Sequence, residues 1–204
     1  MANFNKAARA VIKVGLGRGF VVQSGRRRLI ITAAHCLPSF PPCHGASFTE
    51  ERTYAQLLGP LGNEPSVWAE CLFADPIGDI AVLGEPDGQE LSDECEAYDE
   101  LVKACEPIPV TDAKESGRAR LLSLDGEWIE CDVKHSGGPL WISGAAKGIN
   151  GGMSGSPIIA DDGSAIGIVC LSGGPPEKLH TDGGPNPRLL GNLPGWLLKS
   201  LNRS

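Results

Sequence analysis

The chain has 204 residues and a formal net charge of −7, enough length for one large domain or two packed halves with a real core. Twenty-seven glycines, sixteen prolines and only 5% aromatics point to short strands and tight turns and exclude a helical bundle. The acidic balance gives no footing for nucleic acid, and no apolar stretch is long enough to span a membrane.

Residues Met1 to Lys6 lead into Ala7 to Val14, which Arg9 and Lys13 interrupt. No apolar run of secretory-signal length is present, so a cytoplasmic location is expected. Strand-forming runs follow at Val11 to Val14, Gly19 to Gln23 and Leu29 to Ala33, separated by glycine-bearing turns. Arg26-Arg27-Arg28, after Ser24-Gly25, reads as a solvated hairpin tip. Pro38 to Pro42 is a loop, and Tyr54 to Leu58, Val67 to Ala74 and Ile80 to Leu83 continue the strands.

Leu91, Cys95, Tyr98, Val102 and Cys105 then recur at steps of three and four, which predicts an amphipathic helix. Pro107-Ile108-Pro109 stops it. Glu85 to Glu106 holds nine acidic residues against Lys103 alone, a net of −8 that leaves the remaining chain near +1. Its acidic face is read as solvated surface rather than as a docking face. Beyond this connector, strands resume at Ala119 to Leu124, Trp128 to Val133, Leu140 to Ile142, Ser156 to Ala160 and Ala165 to Leu171. Asp161-Asp162-Gly163 marks a hairpin turn. Gly173 to Pro187 reads as a Gly/Pro-rich loop, and Leu193 to Leu201, with Pro194 near its start, predicts a closing helix.

The seven cysteines are scattered and odd in number, and reduced, mostly buried thiols are expected. Cys36, Cys43 and His44 lie close in sequence, but no C-x-x-C pair exists, so no metal or other cofactor is expected.

Three places carry chemistry. His35 stands just past the run Leu29 to Ala34, Asp79 just before Ile80-Ala81-Val82-Leu83, and Ser154 inside Gly151-Gly152-Met153-Ser154-Gly155-Ser156-Pro157. A serine hydroxyl needs a histidine to take its proton, and the histidine needs a carboxylate to fix its tautomer. The attacked carbonyl needs backbone donors for its oxyanion, and the glycines before Ser154 let the N–H groups of Gly152 and Ser154 point into one concavity. Each segment alone has an ordinary structural reading as a packed histidine, a turn carboxylate or a flexible loop. In the order His, Asp, Ser, at separations of 44 and 75 residues, they form one constellation.

These residues resemble the chymotrypsin-fold (trypsin-like) serine peptidases. T-A-A-H-C (Thr32 to Cys36) is similar to that family's histidine motif, while G-D-I-A-V-L and I-N-G-G-M-S-G-S-P-I are most similar to the bacterial HtrA-type and related branches. The start of a first barrel is seen in Gly17-Arg18-Gly19-Phe20-Val21-Val22, and the resemblance runs from Val11 to Ser172. It implies an all-β fold of two six-stranded antiparallel β-barrels with a linker helix and a C-terminal helix. The first barrel would occupy 1–88, the acidic linker 89–107 and the second barrel 108–204. It also implies His35 as general base, Asp79 as its orienter and Ser154 as nucleophile, with Asp75 and Ser156 set aside. A Gly-x-Ser-x-Gly elbow would need glycine at position 156 and the histidine last in the chain, and neither holds.

The resemblance has departures. The strand before the histidine motif lacks the cysteine that secreted relatives pair with theirs, so Cys36 is expected to be free. Met153 stands where those relatives have the aspartate that receives a new N-terminus, which excludes that form of zymogen activation. By resemblance Gly148 floors the primary pocket, and Cys170, Leu171 and Ser172 offer their backbone to an extended substrate. No carboxylate stands at Gly148 and no histidine on the 168–172 strand, so a small or medium apolar residue before the cut is expected, unless the following loop brings in Asp182 or His180. The implied activity is that of a cytoplasmic, bacterial-style serine endopeptidase acting on protein or peptide substrates, with a dedicated effector or regulator as partner. The competing reading is a catalytically idle protease-fold binding module.

Overall fold

The computed structural model describes residues 7–42, 48–135, 137–170 and 182–201. The first half lays down β1 (Val11–Val14), β2 (Gly17–Ser24), β3 (Arg27–Thr32), β4 (Thr53–Gly59), β5 (Val67–Asp75) and β6 (Ile80–Gly84). Helix α1 (Ser92–Lys103) follows. The second half contributes β7 (Ser116–Leu122), β8 (Trp128–His135), β9 (Leu140–Ser143), β10 (Pro157–Ala160), β11 (Ala165–Ile168) and β12 (Gly183–Asn186), then α2 (Leu189–Asn192) and α3 (Gly195–Leu201).

The first six strands close into a barrel in the order β1-β2-β3-β6-β5-β4. The other six form one sheet, β11-β10-β7-β8-β9-β12, whose ends approach through the Ile168 N–H donating to the Pro187 carbonyl at 3.3 Å. All the strand pairings are antiparallel. The two six-stranded, barrel-like sheets with few short helices are the architecture the motifs implied.

Side-chain alternation explains the outward faces. In β8, Ile129, Cys131 and Val133 are buried, while Glu130, Asp132 and Lys134 are exposed, the period of two that a half-covered strand requires. The first six residues of β2 are instead buried without interruption, because α3 packs against this strand and its Arg18 bonds the second half at Leu122, Ser123 and Ser154. One core gathers around Phe20, Ile30 and Leu83 and takes in second-half residues such as Leu122, Ile159, Ile168 and Leu197, while a smaller one lies within the second half around Leu121, Leu140 and Ile158.

Sequence patterning misjudged two places. Arg26 and Arg27 are exposed at the β2–β3 turn, but Arg28 is not part of a solvated tip. Its guanidinium donates to the Val102 and Cys105 carbonyls at 2.6 and 3.0 Å, satisfying acceptors that a helix C-terminus leaves open. The second is β12, in a stretch whose composition reads as loop. Pairing of Gly183 with Ile142 and Asn186 with Leu140 holds it extended, which no local propensity signals.

The six described cysteines are unpaired and buried. Cys43 and His44 lie outside the described residues, and among the described residues no group of three or more metal-ligating side chains is gathered. No described helix is long and apolar enough to cross a membrane.

Candidate active site

The site is built from the ends of strands in both halves. After β3 the chain enters the short 3₁₀ turn Ala34–Cys36, which buries Ala34 and Cys36 and leaves His35 between them exposed. Between β5 and β6 a tight turn forms because Asp75 Oδ1 accepts the N–H groups of Ile77 and Gly78 at 2.9 and 3.0 Å. Asp75 is therefore the builder of the turn that delivers Asp79. Asp79 itself sits at φ +52°, a left-handed conformation that aspartate and asparagine tolerate better than most residues.

Asp79 holds His35 twice. Its Oδ1 accepts the His35 backbone N–H at 3.0 Å, and its Oδ2 lies 2.7 Å from His35 Nδ1. A carboxylate on Nδ1 places the ring proton there and leaves Nε2 with a lone pair. Behind Asp79, the Cys170 thiol donates to its main-chain carbonyl at 3.3 Å.

Ser154 arrives from the second half. Its carbonyl accepts the Arg18 N–H at 2.7 Å and lies 3.7 Å from the Sγ of Cys36, the residue after His35. The candidate nucleophile is thus anchored to β2 and to the histidine turn, in neighbouring segments with His35. Among the described residues none hydrogen-bonds the Ser154 hydroxyl, the open arrangement common in sites without substrate. Ser154 is half-buried, whereas Ser156 is fully buried and its hydroxyl has no partner, so Ser154 is the more accessible of the two.

The loop is held by its other amides. The N–H groups of Met153, Gly155 and Ser156 donate to the carbonyls of Asn150, Val169 and Met153 at 3.1, 2.7 and 2.9 Å. Those of Gly152 and Ser154 donate to no described residue, which leaves two donors beside the serine for an anion. Gly152 has φ +90° and Gly155 φ +81°; at Gly155 a Cβ would also stand 1.8 Å from the Arg18 carbonyl oxygen, so only glycine fits. Met153 is buried in the second core, and this apolar anchor stands where secreted relatives would place an acid.

Residues that patterning overlooked support this frame. Arg18 is 6% exposed and its guanidinium donates to the Leu122 and Ser123 carbonyls at 2.7 and 3.0 Å. One residue therefore ties the Ser154 loop, through its backbone, to the β7–β8 turn, through its side chain. Asn186 is fully buried, its Oδ1 accepting the Cys170 N–H at 2.9 Å. A buried polar side chain of this kind is recognisable only from its partners.

The pocket positions stand as follows. Gly148 has φ +67°, its N–H donates to the Ala145 carbonyl at 2.8 Å, and open space lies where a Cβ would be. The Asp182 carboxylate accepts the Ala145 N–H at 2.6 Å. Cys170 is buried, while Leu171, Ser172 and His180 lie outside the described residues. Burial pushes the Cys36 and Cys170 thiols up, and the Asp79 charge adds to this, so both stay protonated and are poor nucleophiles.

Two barrel-like sheets, a carboxylate-held histidine and a glycine-bracketed serine define the trypsin-like serine protease fold. The chain belongs to the Trypsin-like peptidase domain family, whose model matches residues 17–168. No curated protein matches it. Among solved structures it is similar to the serine endoprotease from Yersinia pestis, at 17% identity and TM-score 0.56, over 90% of this chain and 61% of that one. It is also similar to the Rv3671c protease in an inactive form, at 16% identity and TM-score 0.56, over 97% of this chain and 92% of that one. At this identity the likeness establishes the fold.

Proposed function

We propose that this chain is a serine endopeptidase. Ser154 Oγ attacks the peptide carbonyl while His35 Nε2 takes its proton; His35 then returns that proton to the leaving amine, and water hydrolyses the acyl-enzyme by the same route. Asp79 holds the imidazole in the required tautomer and steadies its positive charge. The N–H groups of Gly152 and Ser154 receive the oxyanion, a contribution of about 10²–10³ in rate for each such donor.

The observation that carries the reading is the double hold of Asp79 on His35, at 3.0 and 2.7 Å, beside a serine loop anchored to the same turn. A fluorophosphonate probe tests it. Wild-type protein should be labelled on Ser154, Ser154→Ala should not, and His35→Ala should label far more slowly. A folded wild-type chain that takes no label would sink the reading and leave the idle binding module in its place.

The same proposal includes a small or medium apolar residue before the cut, supported by the open, uncharged Gly148. A peptide-library profile dominated by Arg or Lys would overturn that part. It also includes a dedicated protein partner and a reducing, cytoplasmic setting, the latter supported by the unpaired described cysteines. Ser154→Ala used as a substrate trap would recover the partner.

A further inference from the structure

Antiparallel pairing would carry the end of β11 on along β12. Gly167 bridges Arg188, and the Ile168 N–H donates to the Pro187 carbonyl at 3.3 Å. At Val169 the chain turns to the nucleophile loop instead. Its N–H donates to the Ser156 carbonyl at 2.9 Å, and its carbonyl accepts the Gly155 N–H at 2.7 Å. Cys170 is then buried with a backbone N–H that no main-chain carbonyl of the described residues accepts. A buried N–H of this kind is costly to leave unpaired.

Asn186 closes the gap with its side chain. Three steps along β12, Gly183 to Asn186, stand opposite two along β9, Ile142 to Leu140. That mismatch is a β-bulge, a device that re-aims a side chain. Asn186 is fully buried, its Oδ1 accepting the Cys170 N–H at 2.9 Å and its Nδ2 donating to the Leu140 carbonyl at 3.4 Å. The amide is tied at both ends, which fixes its orientation.

What Cys170 keeps open is its carbonyl. Its N–H goes to Asn186 and its thiol to the Asp79 carbonyl at 3.3 Å. Among the described residues no donor reaches its own carbonyl. Asp79, Cys170 and Asn186 border one cavity of about 390 Å³ together with Ile77, Pro139 and Arg188. An extended chain pairs with main-chain acceptors, and such pairing helps most when the acceptor is held in place beforehand.

We infer that Asn186 is a positioning residue for substrate: it holds Cys170 from the buried side so that the free Cys170 carbonyl accepts an N–H from the acyl part of a peptide. Asn186 touches no reacting atom and acts through Cys170. The inference rests on the endopeptidase reading.

The test compares wild type, Asn186→Ala and Asn186→Asp on two substrates. One is a peptide anilide built on the residues that library profiling selects. The other is p-nitrophenyl acetate, whose acyl part has no N–H to offer. Rates are divided by the fraction of protein that a fluorophosphonate labels, so that misfolded chains drop out. In Asn186→Ala, kcat/KM for the peptide should fall about tenfold further than kcat/KM for the acetate, as expected for one well-placed hydrogen bond. Asn186→Asp keeps an acceptor under the Cys170 N–H and should recover most of that difference. Equal changes on the two substrates, a peptide-specific loss that Asn186→Asp shares in full, or failure of both variants to take the label overturns the positioning role and leaves the endopeptidase reading standing. A wild type that cuts no library peptide overturns the two together.

Discussion

Asp79 combines two requirements that pull on one residue. Its carboxylate must reach both the backbone and the ring of His35, and its backbone must adopt φ +52° to start β6. Asparagine tolerates that conformation and keeps the shape, but its amide cannot reproduce the charge or the acceptor at both contacts. Asp79→Asn should therefore fold with an unchanged thermal midpoint while kcat falls by about 10⁴-fold, the cost of presenting the wrong imidazole tautomer. Steady-state kinetics beside a melting curve would check this; an activity loss of less than tenfold would remove Asp79 from the mechanism. Sequence order and motif made these residues legible. The Asp75 turn that sets Asp79 in place was not, because Asp75 and Asp79 are both carboxylates in one short motif and only backbone bonding separates the turn builder from the ring holder.

At the scale of an element, α1 shows how far a helical period can be trusted. Cys95, Tyr98 and Val102 are its buried residues, as steps of three and four require. What period does not reveal is what satisfies the helix end. Arg28, from β3, supplies that with two bonds to the Val102 and Cys105 carbonyls, and its own carbonyl accepts the Tyr98 hydroxyl at 3.0 Å. Arg28→Met removes the donors and the charge near the helix C-terminus while keeping the aliphatic stem. It should cost about 1–2 kcal/mol, read as a lower urea midpoint. Arg26→Met, at the exposed tip, should leave the midpoint unchanged. Equal effects from the two substitutions would refute the capping role.

For the whole molecule, buried thiols link stability to alkaline pH. Burial, ahead of smaller contributions, raises Cys71 from 9.0 to about 11 and Cys131 from 9.0 to about 12. The folded chain keeps these protons where the unfolded chain has released them, so stability present below pH 9 is lost as pH rises through the folded values. For Cys71 the loss is roughly 2 kcal/mol by pH 11. Urea midpoints in reducing buffer should fall between pH 8.5 and pH 11, and the fall should be shallower in Cys71→Ala, whatever that variant's starting stability. Parallel pH curves for the two proteins would refute the linkage.

By itself the sequence determined the strand-rich class, most strand positions, the connecting helix, and the histidine, aspartate and serine motifs, because period, turn chemistry and short motifs are local properties. Only the tertiary structure decided that Arg18 joins the Ser154 loop to the β7–β8 turn, that Gly183–Asn186 is a strand, and that Asn186 is buried behind Cys170. Each of these depends on partners tens of residues away. Hydrogen-bond satisfaction and exposure are set by what packs alongside, which neighbouring residues in the chain do not encode.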